Sequence, residues 1–124
     1  MLGDKEAIAT LAVKGTAAAK KFYEGILGLK PTPSQEAGVL SYKSGSSTVL
    51  VYESQYAGTN KATAATWVVG DLEGTVQALK AKGVAFERYD LPGVTHKGDV
   101  HLTGRMKAAW FKDPDGNILA LVGD

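Results

Sequence analysis

Two stretches of this chain of 124 residues carry side chains able to do chemistry. His96, Asp99 and His101 are spaced H-x-x-D-x-H, which supplies imidazole and carboxylate atoms of the kind that ligate a divalent cation, and Glu53 is a further candidate ligand. Short mixed His/Asp spacings recur by chance, and a loop flanked by Gly93, Gly98 and Gly104 is poorly preorganised, so a solvated polar loop outweighs a metal site as the reading. Acid–base work by His96 or His101 is the stronger chemical alternative, because an unperturbed imidazole titrates near neutrality. The glycines make no phosphate cradle, since the loop opens no expected helix. The second stretch is Asp113-Pro114-Asp115-Gly116-Asn117, flanked by the apolar runs Trp110–Phe111 and Ile118–Val122. Proline presets φ and Asp, Gly and Asn tolerate the reversal, so this segment reads as a β-hairpin. Its last strand offers only methyl groups, Ala120 lying on one side with Ile118 and Val122.

Composition narrows the classes of function. The apolar fraction of 44% and charged fraction of 22% fit one globular domain, and the length is too short for two ordinary ones. A formal net charge of +1 with scattered lysines creates no field for nucleic acid. With no cysteine there is no disulfide framework, thiolate nucleophile or Cys-bound zinc. Neither a leader peptide nor a run of membrane-spanning length is visible, so no membrane partner is expected and the cytoplasm is the default location.

The elements that must position these residues repeat. Ala7–Val13 reads as a strand, followed by a helix capped by Thr16, with an apolar stripe of Ala19, Phe22, Tyr23 and Ile26, and ended by Gly28. Pro31 and Pro33 permit only a short or edge strand. Val39–Lys43 and Thr48–Glu53 form a hairpin, and 54–63 is a polar linker. The pattern then returns with Thr66–Val69, a helix capped by Asp71 and closed by Gly83, a strand over Val84–Tyr89, the loop Asp90–Gly104, and the strands Met106–Lys112 and Ile118–Val122. The order is βαβββ twice, offset by about 56 residues from Val13 to Val69. An α+β fold of two modules, about 7–53 and 64–124, follows, with a curled, cup-like mixed sheet, helices outside and a cleft between modules.

This order, with FYEGILGL at Phe22–Leu29 and FKDPDGN at Phe111–Asn117, resembles the vicinal oxygen chelate superfamily of glyoxalases, extradiol dioxygenases, fosfomycin-modifying transferases and bleomycin-binding resistance proteins. The resemblance implies metal ligands, typically His, His and Glu, at positions that here hold Ile8, Ala64 and Ala120. None has a lone pair, and a catalytic metal needs about three protein ligands, so neither metal nor other cofactor is expected. The resemblance also implies a homodimer, and a lid over residues 90–104 that would carry His96 and Arg105 towards a ligand.

A cup lined by Ile8, Thr10, Leu50, Tyr52, Thr66, Arg105, Trp110 and Ala120 would be largely apolar, with hydroxyls and aromatic walls. Such a surface suits metal-independent binding of a small aromatic or amphipathic molecule, as in the sequestering members of the family. The alternatives are a glyoxalase-, isomerase- or dioxygenase-like enzyme with His96, His101 and Glu53 as displaced ligands or acid–base groups, and a dimeric interaction module.

Overall fold

The computed structural model describes residues 1–34 and 36–124. In the first module, strand alternation divides each sheet face sharply. Strand β1 (Ala9–Val13) buries Leu11 and Val13, and β4 (Ser47–Glu53) buries Val49 and Val51 beside them, while Thr10 and Tyr52 on the opposite face are exposed. β1 pairs in parallel with β4, which pairs antiparallel with β3 (Val39–Ser44), and β2 (Lys30–Thr32) closes the sheet in the order β1-β4-β3-β2. β2 has three residues and one ladder partner, as two prolines without N–H groups require.

The first helix departs from expectation in two ways. Gly15 occupies the N-cap without any side-chain cap, and Thr16 is the first residue of α1 (Thr16–Lys20). The helix then widens into π-helical turns over Lys21–Ile26, in which the Leu27 N–H bonds the Phe22 carbonyl at 2.9 Å. The wider turn narrows the angle between successive side chains, and the adjacent Phe22 and Tyr23 are both buried. Gly28, at φ 75°, ends it.

The second module repeats the plan with an insertion. β5 (Thr63–Val69) leads to α2 (Leu72–Ala81), whose N-cap Asp71 accepts from the Gly74 N–H at 3.0 Å. At its other end Val84 N–H bonds the Leu79 carbonyl and Gly83 N–H the Lys80 carbonyl, a Schellman closure around Gly83. β6 (Phe86–Glu87) is only two residues long. Segment 90–104, expected as an irregular loop, instead holds a hairpin of β7 (Thr95–Lys97) and β8 (Val100–Thr103). β8 and β6 lie along the same side of β9 (Met106–Lys112), and β10 (Ile118–Gly123) sits between β9 and β5.

The turn between β9 and β10 joins the modules. Buried Asp113 accepts from Asp115 N–H (3.0 Å) and Asn117 N–H (2.8 Å) through Oδ1, and from Tyr23 O–H and Asn117 Nδ2 (both 2.7 Å) through Oδ2. Asn117 Nδ2 also donates to the Ala12 carbonyl on β1, and Lys14 N–H donates to Asp115 Oδ2. Burial, and then the Asp113 carboxylate, holds the Tyr23 phenol far above its ordinary pKa. The same turn fixes the segment expected as a linker, for Gly58, at φ 72°, lies so close that a Cβ there would overlap the Asp115 carbonyl. Around this junction runs one apolar core in which Phe22 meets Phe111 at 6.2 Å between ring centroids and Tyr23 meets Tyr42 at 6.4 Å. Fully burying such a side chain is worth about 1.5–3 kcal/mol.

Candidate functional site

The outer face of the second sheet is built by register. Across β5, β10 and β9 one row reads Thr66, Ala120, Trp110, and the next reads Val68, Val122, Ala108, continuing onto β8 and β7 as His101 and His96. Alanines at positions 108 and 120 leave room for the large rings beside them. Trp110 Nε1 donates to Thr63 Oγ1 at 3.1 Å, which fixes the indole across β10. Next to it Lys61, Ala62, Thr63, Tyr89, Leu91 and Ile118 surround a hollow of about 350 Å³.

Trp110 belongs to an aromatic cluster. Its ring meets His101 edge-on at 4.8 Å and Tyr89 edge-on at 5.5 Å, and His96 meets His101 at 4.5 Å. The two histidines hold the Tyr89 backbone from both sides. His101 Nε2 accepts from the Tyr89 N–H at 2.9 Å, and His96 Nε2 lies 3.0 Å from the Tyr89 carbonyl, to which its N–H donates. Because Nε2 accepts, His101 is neutral with its proton on Nδ1, a nitrogen that is buried and makes no well-formed hydrogen bond among the described residues. Burial, then His96, pushes the His101 pKa below 6.5, opposed by the nearby Asp99 and Ala108 carbonyls. The Tyr89 hydroxyl is also buried without a partner among the described residues, and burial raises its pKa.

The expectation of a solvated loop is therefore corrected: His101 is only 3% exposed and His96 is half-buried. Nor does the H-x-x-D-x-H spacing assemble. Asp99 points to α2, where Oδ2 meets Lys80 Nζ at 2.7 Å, and Glu53 ends β4 in the other sheet. Among the described residues, no three His, Cys, Asp or Glu side chains converge on a possible metal position. At the ligand positions that the resemblance implies, Ile8 precedes β1 and is 49% exposed, Ala120 is buried beside Trp110 in the same row, and Ala64 falls at a bulge where the β5/β10 register slips. A methyl or butyl side chain has no lone pair to offer a cation, so this donor set does not fit the family's metal.

The remaining candidates lie in two groups. On the outer face of the first sheet, Thr10 stands opposite Leu50, which stands opposite Ser41, and Tyr52 occupies the next row. Thr66, Trp110 and Ala120 share the outer face of the second sheet. The two groups lie on different sheets, Thr10, Leu50 and Tyr52 on the first and Thr66, Trp110 and Ala120 on the second, and Trp110 alone of them borders the hollow of about 350 Å³. Arg105 stands apart at the exposed turn between β8 and β9. Tyr89 and Leu91 were not singled out by sequence reasoning. They follow a two-residue strand with no readable alternation, and only the Tyr89 hydrogen bonds to the histidines place them beside Trp110.

No helix is long and apolar enough to cross a membrane among the described residues. No curated protein matches the sequence. Solved structures do match the fold. A glyoxalase family protein from Enterococcus faecalis is similar with a TM-score of 0.75 at 19% identity, covering 98% of this chain and 99% of its own. A lactoylglutathione lyase from Agrobacterium tumefaciens gives 0.72 at 14% identity, covering 99% and 96%. A genomically encoded fosfomycin resistance protein from Listeria monocytogenes gives 0.72 at 14% identity, covering 98% and 93%. At these identities the likeness is one of fold. The sequence model of the Glyoxalase/Bleomycin resistance protein/Dioxygenase superfamily matches residues 7–121, and the chain belongs to that superfamily.

Proposed function

We propose that this protein binds a small, flat organic molecule without a metal, on the outer sheet faces, and that it works by sequestration rather than turnover. The observation that carries the reading is the Trp110 indole. It is held by Thr63 beside an open hollow of about 350 Å³, on a face whose family ligand positions hold no donor atom. An aromatic platform among small residues favours stacking and burial of a flat ligand. Both imidazoles engage the Tyr89 backbone through Nε2, which weighs against their serving as displaced metal ligands.

The reading includes a homodimer. Val68, the penultimate residue of β5, is 84% exposed, and Ile8, Tyr52 and Met106 add apolar surface on the outer faces. Apolar area of this kind marks a contact surface. Pairing that lays the first sheet of one chain over the second sheet of its partner would bring Thr10, Leu50 and Tyr52 opposite Thr66, Trp110 and Ala120 and enclose the ligand. Arg105, on its exposed turn, would sit at the rim.

Thermal unfolding with and without chelator tests the metal-independent half. The expected outcome is an unchanged Tm with chelator and a raised Tm with a panel aromatic ligand, the rise lost in Trp110→Ala. Divalent metal retained stoichiometrically after dialysis would end this reading.

A further inference from the structure

On the opposite side of the second sheet from Trp110, a crevice of about 490 Å³ opens between the two modules. The volume is in the range of about 300–1,000 Å³ typical of small-molecule sites. It shares no lining residue with the hollow beside Trp110. Trp67, Val69, Leu121 and Phe111, the alternate residues of β5, β10 and β9, make its floor, and Leu29 and Leu79 approach from the two modules. Trp67 Nε1 donates to Ser44 Oγ at 2.9 Å, so the polar edge of the indole is satisfied and the ring is held towards the crevice.

The border is cationic. Lys30 and Lys43 both line the crevice and stand directly opposite one another in the β2/β3 ladder, an arrangement in which like charges oppose pairing. No carboxylate lines the crevice, and neither lysine forms an ion pair among the described residues. Two lysines without an ion-pair partner among the described residues, at the border of an apolar hollow, suit an anionic head on an apolar body. A carboxylate placed between them would relieve the repulsion, while the body buries against Trp67 and Phe111.

We propose that this crevice is a second binding site, for a single-chain amphipathic carboxylate whose head lies between Lys30 and Lys43 and whose tail lies along Trp67. The probe is ω-bromodecanoate, whose bromine quenches a tryptophan in contact with it, titrated into the Trp110→Phe chain so that Trp67 alone emits. Saturable quenching below the micellar concentration is expected. Lys30→Gln with Lys43→Gln should weaken binding by about tenfold or more, while leaving the affinity for neutral ω-bromodecanol unchanged. Thr75→Phe, at a half-buried position on α2 that lines the crevice, should abolish quenching by both probes. Absence of saturable Trp67 quenching overturns the proposal, as does an affinity for the carboxylate that is indifferent to the lysines. Quenching confined to Trp110, read in the Trp67→Phe chain, also overturns it and assigns the probe to the outer face. The two sites therefore fail or stand separately.

Discussion

Among the described residues two polar clusters are buried, one at Asp113 and one at His101, and they are finished to different degrees. At the β9–β10 turn the Asp113 carboxylate takes four hydrogen bonds from Tyr23, Asp115 and Asn117. At the outer sheet face His101 and His96 bind the Tyr89 backbone, but among the described residues His101 Nδ1 makes no well-formed hydrogen bond, with the Asp99 and Ala108 carbonyls only nearby, and the buried Tyr89 hydroxyl finds no partner. A fully partnered buried group stabilises the fold, whereas an unpartnered one costs about 1–3 kcal/mol. The sequence features that place the chain in its family therefore lock the modules together, while the less finished cluster borders the hollow where a ligand is proposed.

Substitutions can break this contrast. The largest effect is expected for Asp113→Ala, which strands the Tyr23 hydroxyl and two backbone N–H groups and leaves the Asn117 amide only its bond to the Ala12 carbonyl. Stability should fall by about 3–4 kcal/mol, seen as a lower denaturation midpoint at unchanged slope. A loss below about 1 kcal/mol would mean that the turn is not what joins the modules.

A matched pair of tyrosines sharpens the point at smaller scale. Tyr23→Phe removes a hydroxyl that donates to Asp113 and should cost about 1–2 kcal/mol. Tyr89→Phe removes a hydroxyl with no partner and should be neutral or stabilising by urea unfolding. Equal losses would erase the distinction between the two clusters.

The smallest effect concerns pH. His101 has its folded pKa below the ordinary 6.5, so between the two values the unfolded chain binds a proton that the folded chain does not. Stability should therefore fall as pH drops through 6.5 and level off below the folded pKa. His101→Gln, whose amide oxygen can still accept from Tyr89, should flatten that limb. An acid limb unchanged in the variant would place the titration elsewhere.

Much of the fold was legible because its signals are local. Period-2 alternation groups Tyr52 with Leu50, and Trp110 with Ala108, but leaves open whether those faces belong to core or pocket, which the sheet pairing decides; Asp71, Gly28 and Gly83 bound their helices as their conformational preferences require. The burial of His101 was not legible. It depends on β7 and β8 pairing inside a glycine-punctuated segment too short for alternation to stand out. The H-x-x-D-x-H spacing misleads for the same reason: in a strand Asp99 and His101 would share a face, but β8 begins after Asp99, whose carboxylate turns to Lys80.

By itself the sequence determined the repeated βαβββ plan, the DPDGN turn and the absence of donor atoms at Ile8, Ala64 and Ala120, since these depend on residue type, local conformational preference and spacing. Tertiary structure alone decided which buried polar groups found partners. It also decided that Tyr89 lies beside Trp110, and that Lys30 and Lys43 border a crevice floored by the other module. Each of these joins residues distant along the chain, and only packing brings them within hydrogen-bonding or van der Waals range.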